Sequence, residues 1–80
     1  MAIMQKRPIN KMLDLMRERA DATWPAMYGT HQYKHIMLVL GKEDKDITYV
    51  DKEFVRNDLQ ALCLALGLNY YQLLQKVHQG

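Results

Sequence analysis

Three histidines, one cysteine and nine carboxylates are the residues of this 80-residue chain with chemistry to offer. His31 and His35 are one helical turn apart, so a helix would place both imidazoles on one face, where they could share a metal. A third ligand would have to come from His78 or Cys63, both remote in sequence. Two ligands of a common type are thin grounds for a metal centre, and two surface histidines are the expectation. Cys63 pairs in principle with a histidine as a nucleophile, but it stands on an apolar helix face, where a thiol acts as inert filling. The carboxylates fall on helix exteriors or in a loop and suggest no pair for acid–base work. There is no P-loop, no GxGxxG and no CxxC. The reading is therefore of a protein that is not an enzyme, with no metal and no cofactor.

The remaining signal lies in Phe54 to Val77, FVRNDLQALCLALGLNYYQLLQKV. Asp51 is read as the N-cap of a helix, with Glu53 adding negative charge in its first turn. Val55, Leu59, Leu62, Cys63 and Leu66 follow on one face of a 3.6-residue period. Between Leu59 and Leu66 only Gln60 is polar, which predicts burial on more than one side. Gly67 suits a left-handed C′ position, and Asn69 suits the cap of a second helix. In that helix Tyr70, Leu73, Leu74 and Val77 form an apolar stripe. Tyr71, Gln72, Gln75, Lys76, His78 and Gln79 form the other face.

Two helices joined at a tight glycine turn are either a plain hairpin or a helix-turn-helix. Residues 59–78 resemble the helix-turn-helix of small bacterial and phage repressors. Cys63 stands for the small residue of the first helix and Gly67 for the turn glycine. Leu62, Leu66, Leu68 and Leu73 fill core offsets. Two positions depart from the pattern. The last core offset falls on Lys76, with Val77 one place late, and Leu74 stands where a groove-facing polar residue is usual. The resemblance implies a DNA-binding regulator of transcription whose recognition helix is 70–79. Asn69, Tyr70 and Tyr71 would then approach base edges or backbone, with Gln72 and Gln75 as base readers. Lys76 and His78 would lie near phosphates, helped by Lys6, Arg7 or Arg56. Double-stranded DNA would be the partner, met by a homodimer on paired half-sites.

A second class of function is a small interaction module, acting as a homodimer or as an inhibitor of a larger enzyme. The very apolar 59–66 helix, six Met and five Tyr support a protein partner. Broad burial of one helix is hard for so short a chain to supply alone. Core filling is nevertheless the leading role for methionine.

The elements that would position these residues are mostly helical. Pro8 suits a helix first turn, and Ile9, Met12, Leu13, Met16 and Ala20 line one face. Pro25 should end that helix near Thr23 by disfavouring helical geometry at Trp24. Trp24 is expected at the core edge with its indole N–H on a carbonyl, in preference to an exposed binding anchor. Thr30 and Gly41 bracket a helix with Tyr33, Ile36, Met37 and Leu40 on one face. The alternative there is a buried strand, 36–40, paired with 47–50 across the charged loop 42–46. Residues 1–7 read as a loose basic lead-in.

The expected fold is thus a single, mainly α domain over 1–80, a small bundle of about four helices near 8–23, 31–40, 51–66 and 69–78. The alternative is α+β with one β-hairpin near 35–50. Composition agrees with a globular chain: 49% apolar, 25% charged, net charge +2. The charge permits an anionic partner without demanding one. One cysteine excludes an internal disulfide framework and suits a cytoplasmic setting. The longest apolar run, Ile36–Leu40, is far short of a membrane span, and no signal peptide is expected.

Overall fold

A computed structural model describes residues 6–79, and the 1–5 part of the basic lead-in lies outside them. The described residues form four α-helices and no strand. They are α1 (Lys6–Ala20), α2 (His31–Leu40), α3 (Tyr49–Leu66) and α4 (Tyr70–Gln79). A 3₁₀ segment, Asp21–Gly29, joins α1 to α2, and a short 3₁₀ turn, Asp44–Asp46, lies between α2 and α3.

The boundaries follow local chemistry, with four departures from the sequence reading. First, α1 stops at Ala20, before the expected Thr23, and Pro25 is not what stops it. Asp21 adopts φ 50°, the left-handed region that aspartate tolerates better than most residues. Pro25 sits inside the 3₁₀ segment that follows. Second, the N-cap of α3 is Thr48, and Asp51 is the third helical residue. Thr48 Oγ1 accepts from the Asp51 N–H, and Asp51 Oδ2 accepts from the Thr48 N–H, both at 3.1 Å, a reciprocal capping box. Third, Gly41 closes α2 at φ −77°, on the right-handed side, its N–H reaching Met37 and Leu38 carbonyls. Fourth, α1 begins at Lys6, so Lys6 and Arg7 belong to the helix and not to a loose lead-in. The helix expected over 31–40 is present, and the hairpin alternative is excluded. Residues 36–40 belong to α2, and Ile47 is buried singly before the Thr48 cap. Thr30 caps α2 as expected, accepting from the Tyr33 N–H at 3.1 Å.

α2 and α3 lie antiparallel, tied at two levels. His35 Nδ1 is 2.6 Å from Asp58 Oδ2, and Lys42 Nζ donates to Asp51 Oδ2 at 2.8 Å. α4 turns back to pack on α1, bringing Val77 and His78 beside Arg7, Pro8 and Lys11. The core runs between these two pairs. Ile9, Met12 and Met16 of α1, Ile36 of α2, and Val55 and Leu59 of α3 are wholly buried. Met12, Met16 and Met27 are all buried and Met37 half-buried, so the described methionines are core filling. Trp24 is buried, but its indole N–H donates to the Tyr28 hydroxyl at 3.0 Å, where a carbonyl had been expected. Tyr28 and Tyr33 pack edge-on against its ring.

The expectation of burial on several sides of α3 is overturned. Leu59, Leu62 and Cys63 are buried, but Leu64 is 83% exposed and Ala65 is exposed too. The molecule measures 35 × 29 × 15 Å. In so thin a slab each helix has one inner face, and further apolar residues are left outside.

Candidate nucleic-acid interface

The α3–α4 corner is built from three local devices. Gly67 holds φ 73°, which only glycine enters without steric cost. The Gly67 N–H then donates to Leu64 O at 3.2 Å and the Leu68 N–H to Cys63 O at 2.8 Å, the paired bonds of a Schellman ending. Two residues on, Asn69 Oδ1 accepts from the Gln72 N–H at 3.1 Å and caps α4. Three residues, 67–69, therefore separate the helices.

α4 buries Tyr70, Leu73 and Val77, and Leu74 is half-buried. The inner stripe passes through Val77 and leaves Lys76 exposed. Of the two departures from the repressor pattern, this one reflects how the helix is rotated. The outer face carries Tyr71, Gln72, Gln75, Lys76, His78 and Gln79, all exposed. Residues 67–79 contain no carboxylate. Arg7 and Lys11 of α1 flank the helix near its end, and Lys52 and Arg56 of α3 flank its start across a cleft.

Of the six residues singled out for DNA, five are exposed: Asn69, Tyr71, Gln72, Gln75 and Lys76. The Asn69 oxygen is committed to its cap. The Tyr71 hydroxyl accepts from Gln60 Nε2 at 3.3 Å, which holds the ring across the α3–α4 cleft. Tyr70 is 5% exposed and faces inward, so it does not share that outer surface. Burial pushes its phenol up to about 12. Arg56 is ion-paired with Glu53 one turn earlier, and Lys6 is half-buried.

The cleft between α3 and α4 was not anticipated. It has a volume of 230 Å³, and Tyr49, Lys52, Glu53, Arg56 and Gln60 line one wall, facing Tyr71 and Leu74. A signal for the α3 wall does exist in the sequence: Tyr49, Lys52, Arg56 and Gln60 recur at helical spacing along the flank of the Val55–Leu59 stripe. The opposing wall depends on how α4 turns at Gly67, which periodicity does not report.

The other chemical candidates separate. His31 is exposed, whereas His35 pairs with Asp58 and packs edge-on to Phe54 at 5.8 Å. Among the described residues no three His, Cys, Asp or Glu side chains are grouped to hold a metal ion. Cys63 is buried, and burial pushes its thiol from 9.0 up to about 11, so it stays protonated at neutral pH. No described helix is long and apolar enough to cross a membrane. Compared with protein-family models, curated proteins and solved structures, the chain matches none.

Proposed function

We propose that this protein is a small DNA-binding regulator that presents the outer face of α4 to double-stranded DNA. The observation that carries the reading is the chemistry of that face: amide, hydroxyl and ammonium groups with no carboxylate from 67 to 79, flanked by Arg7, Lys11 and Lys52. The helix itself brings no negative charge to a polyanion, although Asp14 and Glu18 of α1 lie beside Lys76, and glutamine offers the paired donor and acceptor that read adenine in the major groove. Gln72 and Gln75 are the base readers, and Lys76 and His78 meet phosphates. Tyr70 supports α4 from within.

Fluorescence anisotropy with a labelled duplex at low salt tests this reading. Affinity should fall with salt at a log–log slope near −0.9 per phosphate neutralised. Lys76→Ala should weaken binding to all sequences and flatten the slope by about 1. Gln72→Ala or Gln75→Ala should narrow the gap between the preferred and random duplexes, by roughly 1–3 kcal/mol of discrimination. Absence of binding to any duplex at about 100 μM, the weak end of non-specific affinity, would sink the reading.

One observation favours a second reading, a protein-interaction module acting as a homodimer. Leu38, 70% exposed, shares one hollow with the half-buried His35 and another with the exposed Tyr28, and Phe54, 55% exposed, packs edge-on to His35. Apolar side chains clustered on one face suit a protein partner. Sedimentation should then give a dimer mass that Leu38→Glu converts to monomer.

A further inference from the structure

We infer that two copies of this chain associate through the outer ridge of α3, paired antiparallel about a two-fold axis. The inference rests on the homodimer reading above and names the surface that carries it.

The ridge is set by spacing within α3. Val55, Leu59, Leu62 and Cys63 face the core. On the back of the helix Val50, Phe54, Asn57, Ala61 and Leu64 follow at steps of four, three, four and three. That is the 3.5-residue period with which one helix lays a continuous seam along another. Ala61 is half-buried and the other four are exposed. None of the five is charged, and a monomer rarely leaves so long an apolar run in water.

Charge favours a second copy as the occupant. The carboxylates beside the seam are answered inside the chain. Glu53 is ion-paired with Arg56 on one flank, and on the other Asp58 Oδ2 lies 2.6 Å from His35 Nδ1. A charged partner helix finds no countercharge along the seam, whereas a second uncharged seam needs none.

Shape sets the direction. With the copies turned end for end, Phe54 lies against Leu64 of the second copy and Asn57 against its Ala61. Symmetry repeats both contacts, so two bulky layers enclose a narrow waist. In a parallel pair each residue would meet its own copy, and Ala61 facing Ala61 would leave a gap beside the bulkier layers. The single Asn in an otherwise apolar seam also fixes the register.

Area sets the strength. The 18 residues of α3 span about 27 Å, and α2, beside it on the same side of the core, adds the exposed Leu38. At a helix width of about 10 Å the two helices offer roughly 400–500 Å² per copy, so the pair covers close to the roughly 1,000 Å² that a specific interface needs. The association is therefore weak, with a dissociation constant of about 10–100 μM, and the chain is monomeric in dilute solution.

The test is sedimentation equilibrium of the full chain from about 5 to 500 μM. The mass should rise from 9.4 kDa toward twice that. The rise should be the same at low and high salt, because the seam is uncharged. Phe54→Glu and Leu64→Glu each place two charges in the seam and should weaken association at least about tenfold. Both side chains are exposed in the monomer, so circular-dichroism melts of the dilute variants should stay close to the parent. Asn57→Cys mixed with Ala61→Cys under mild oxidation should cross-link to each other faster than either does to itself, with Cys63 buried out of reach. A monomer mass at the highest concentration would overturn the inference and the homodimer reading together. A dimer that survives both glutamate variants would overturn the inference alone, and so would cross-linking with no preference for the mixed pair.

Discussion

A methyl group added at Gly67 would meet nothing within 4 Å, yet alanine should not be tolerated there. The cost comes from φ 73°, where a Cβ crowds the following carbonyl by about 1–2 kcal/mol. Urea melts of Gly67→Ala should show that loss, while Gly29→Ala, equally free of neighbours and without positive φ, should be close to neutral. The buried acids Cys63 and Tyr70 predict an alkaline limit. Burial raises the thiol from 9.0 to about 11 and the phenol from 10.0 to about 12. Both groups are neutral when protonated, so the unfolded chain releases these protons first. The stability they contribute is whole below pH 9 and is lost as pH rises through 9–11 for Cys63 and 10–12 for Tyr70. Denaturant melts at pH 8 and pH 11 should show a smaller loss in Cys63→Ala than in the parent; an equal loss would remove the thiol as a cause. That Cys63 is buried could be read from its place in the apolar stripe. That His35 meets Asp58 could not, because the partners are 23 residues apart and belong to different helices.

At the scale of elements, Leu62 and Leu64 make a matched experiment on one helix. Leu62 is 2% exposed and Leu64 83%. Leu62→Ala should cost about 2–5 kcal/mol by transfer and cavity terms, and Leu64→Ala should stay within about half a kcal/mol. Equal effects would contradict the one-sided packing of α3. The same helix begins at a cap held by three hydrogen bonds. Asp51 closes the capping box with Thr48 and receives Lys42 from the end of α2. The hydrogen bond from Lys42 leads in holding the Asp51 carboxyl below its usual 3.8, with the Thr48 N–H next. Its contribution is therefore present above about pH 4 and lost as pH falls through the lowered value. Thr48→Ala should cost about 0.5–2 kcal/mol at pH 7, and Asp51→Asn should flatten the acid limb of a stability profile. Where the sequence was legible here, the signal was a stripe or a cap: the stripes of α1 and α4, Thr30, Gly67 and Asn69. Where it misled, a competing local device won. Asp21 broke α1 ahead of Pro25 and Thr48 displaced Asp51 as cap, whereas 36–40 formed the helix that its cap and period favoured.

For the whole molecule, four helices were legible because each carries its own apolar period. The breadth of the apolar run 59–66 was misread because a single chain gives no sign of how thick its core will be. At 15 Å the slab gives α3 one inner face, and Leu64 is left in water. The α3–α4 cleft was hidden for a related reason: its second wall is set by the angle at Gly67, and its floor is a tyrosine that periodicity had placed both in the core stripe and among the DNA contacts. The pairing of α1 with α4 has a further consequence, in the order of events. α2 and α3 are joined by only eight residues, whereas the α1–α4 seam closes a loop that spans most of the chain. The cost of closing a loop rises with its length, so local pairings are favoured to form first. The α2–α3 hairpin, pinned by His35–Asp58 and Lys42–Asp51, should form early, and the seam should close last and open first. In native-state hydrogen exchange, amides of α4 should be released by an opening smaller than global unfolding, while those around Val55 and Leu59 should wait for the whole molecule. The surface that would read DNA would then belong to the least protected helix, and a bound duplex would slow its exchange more than that of any other element.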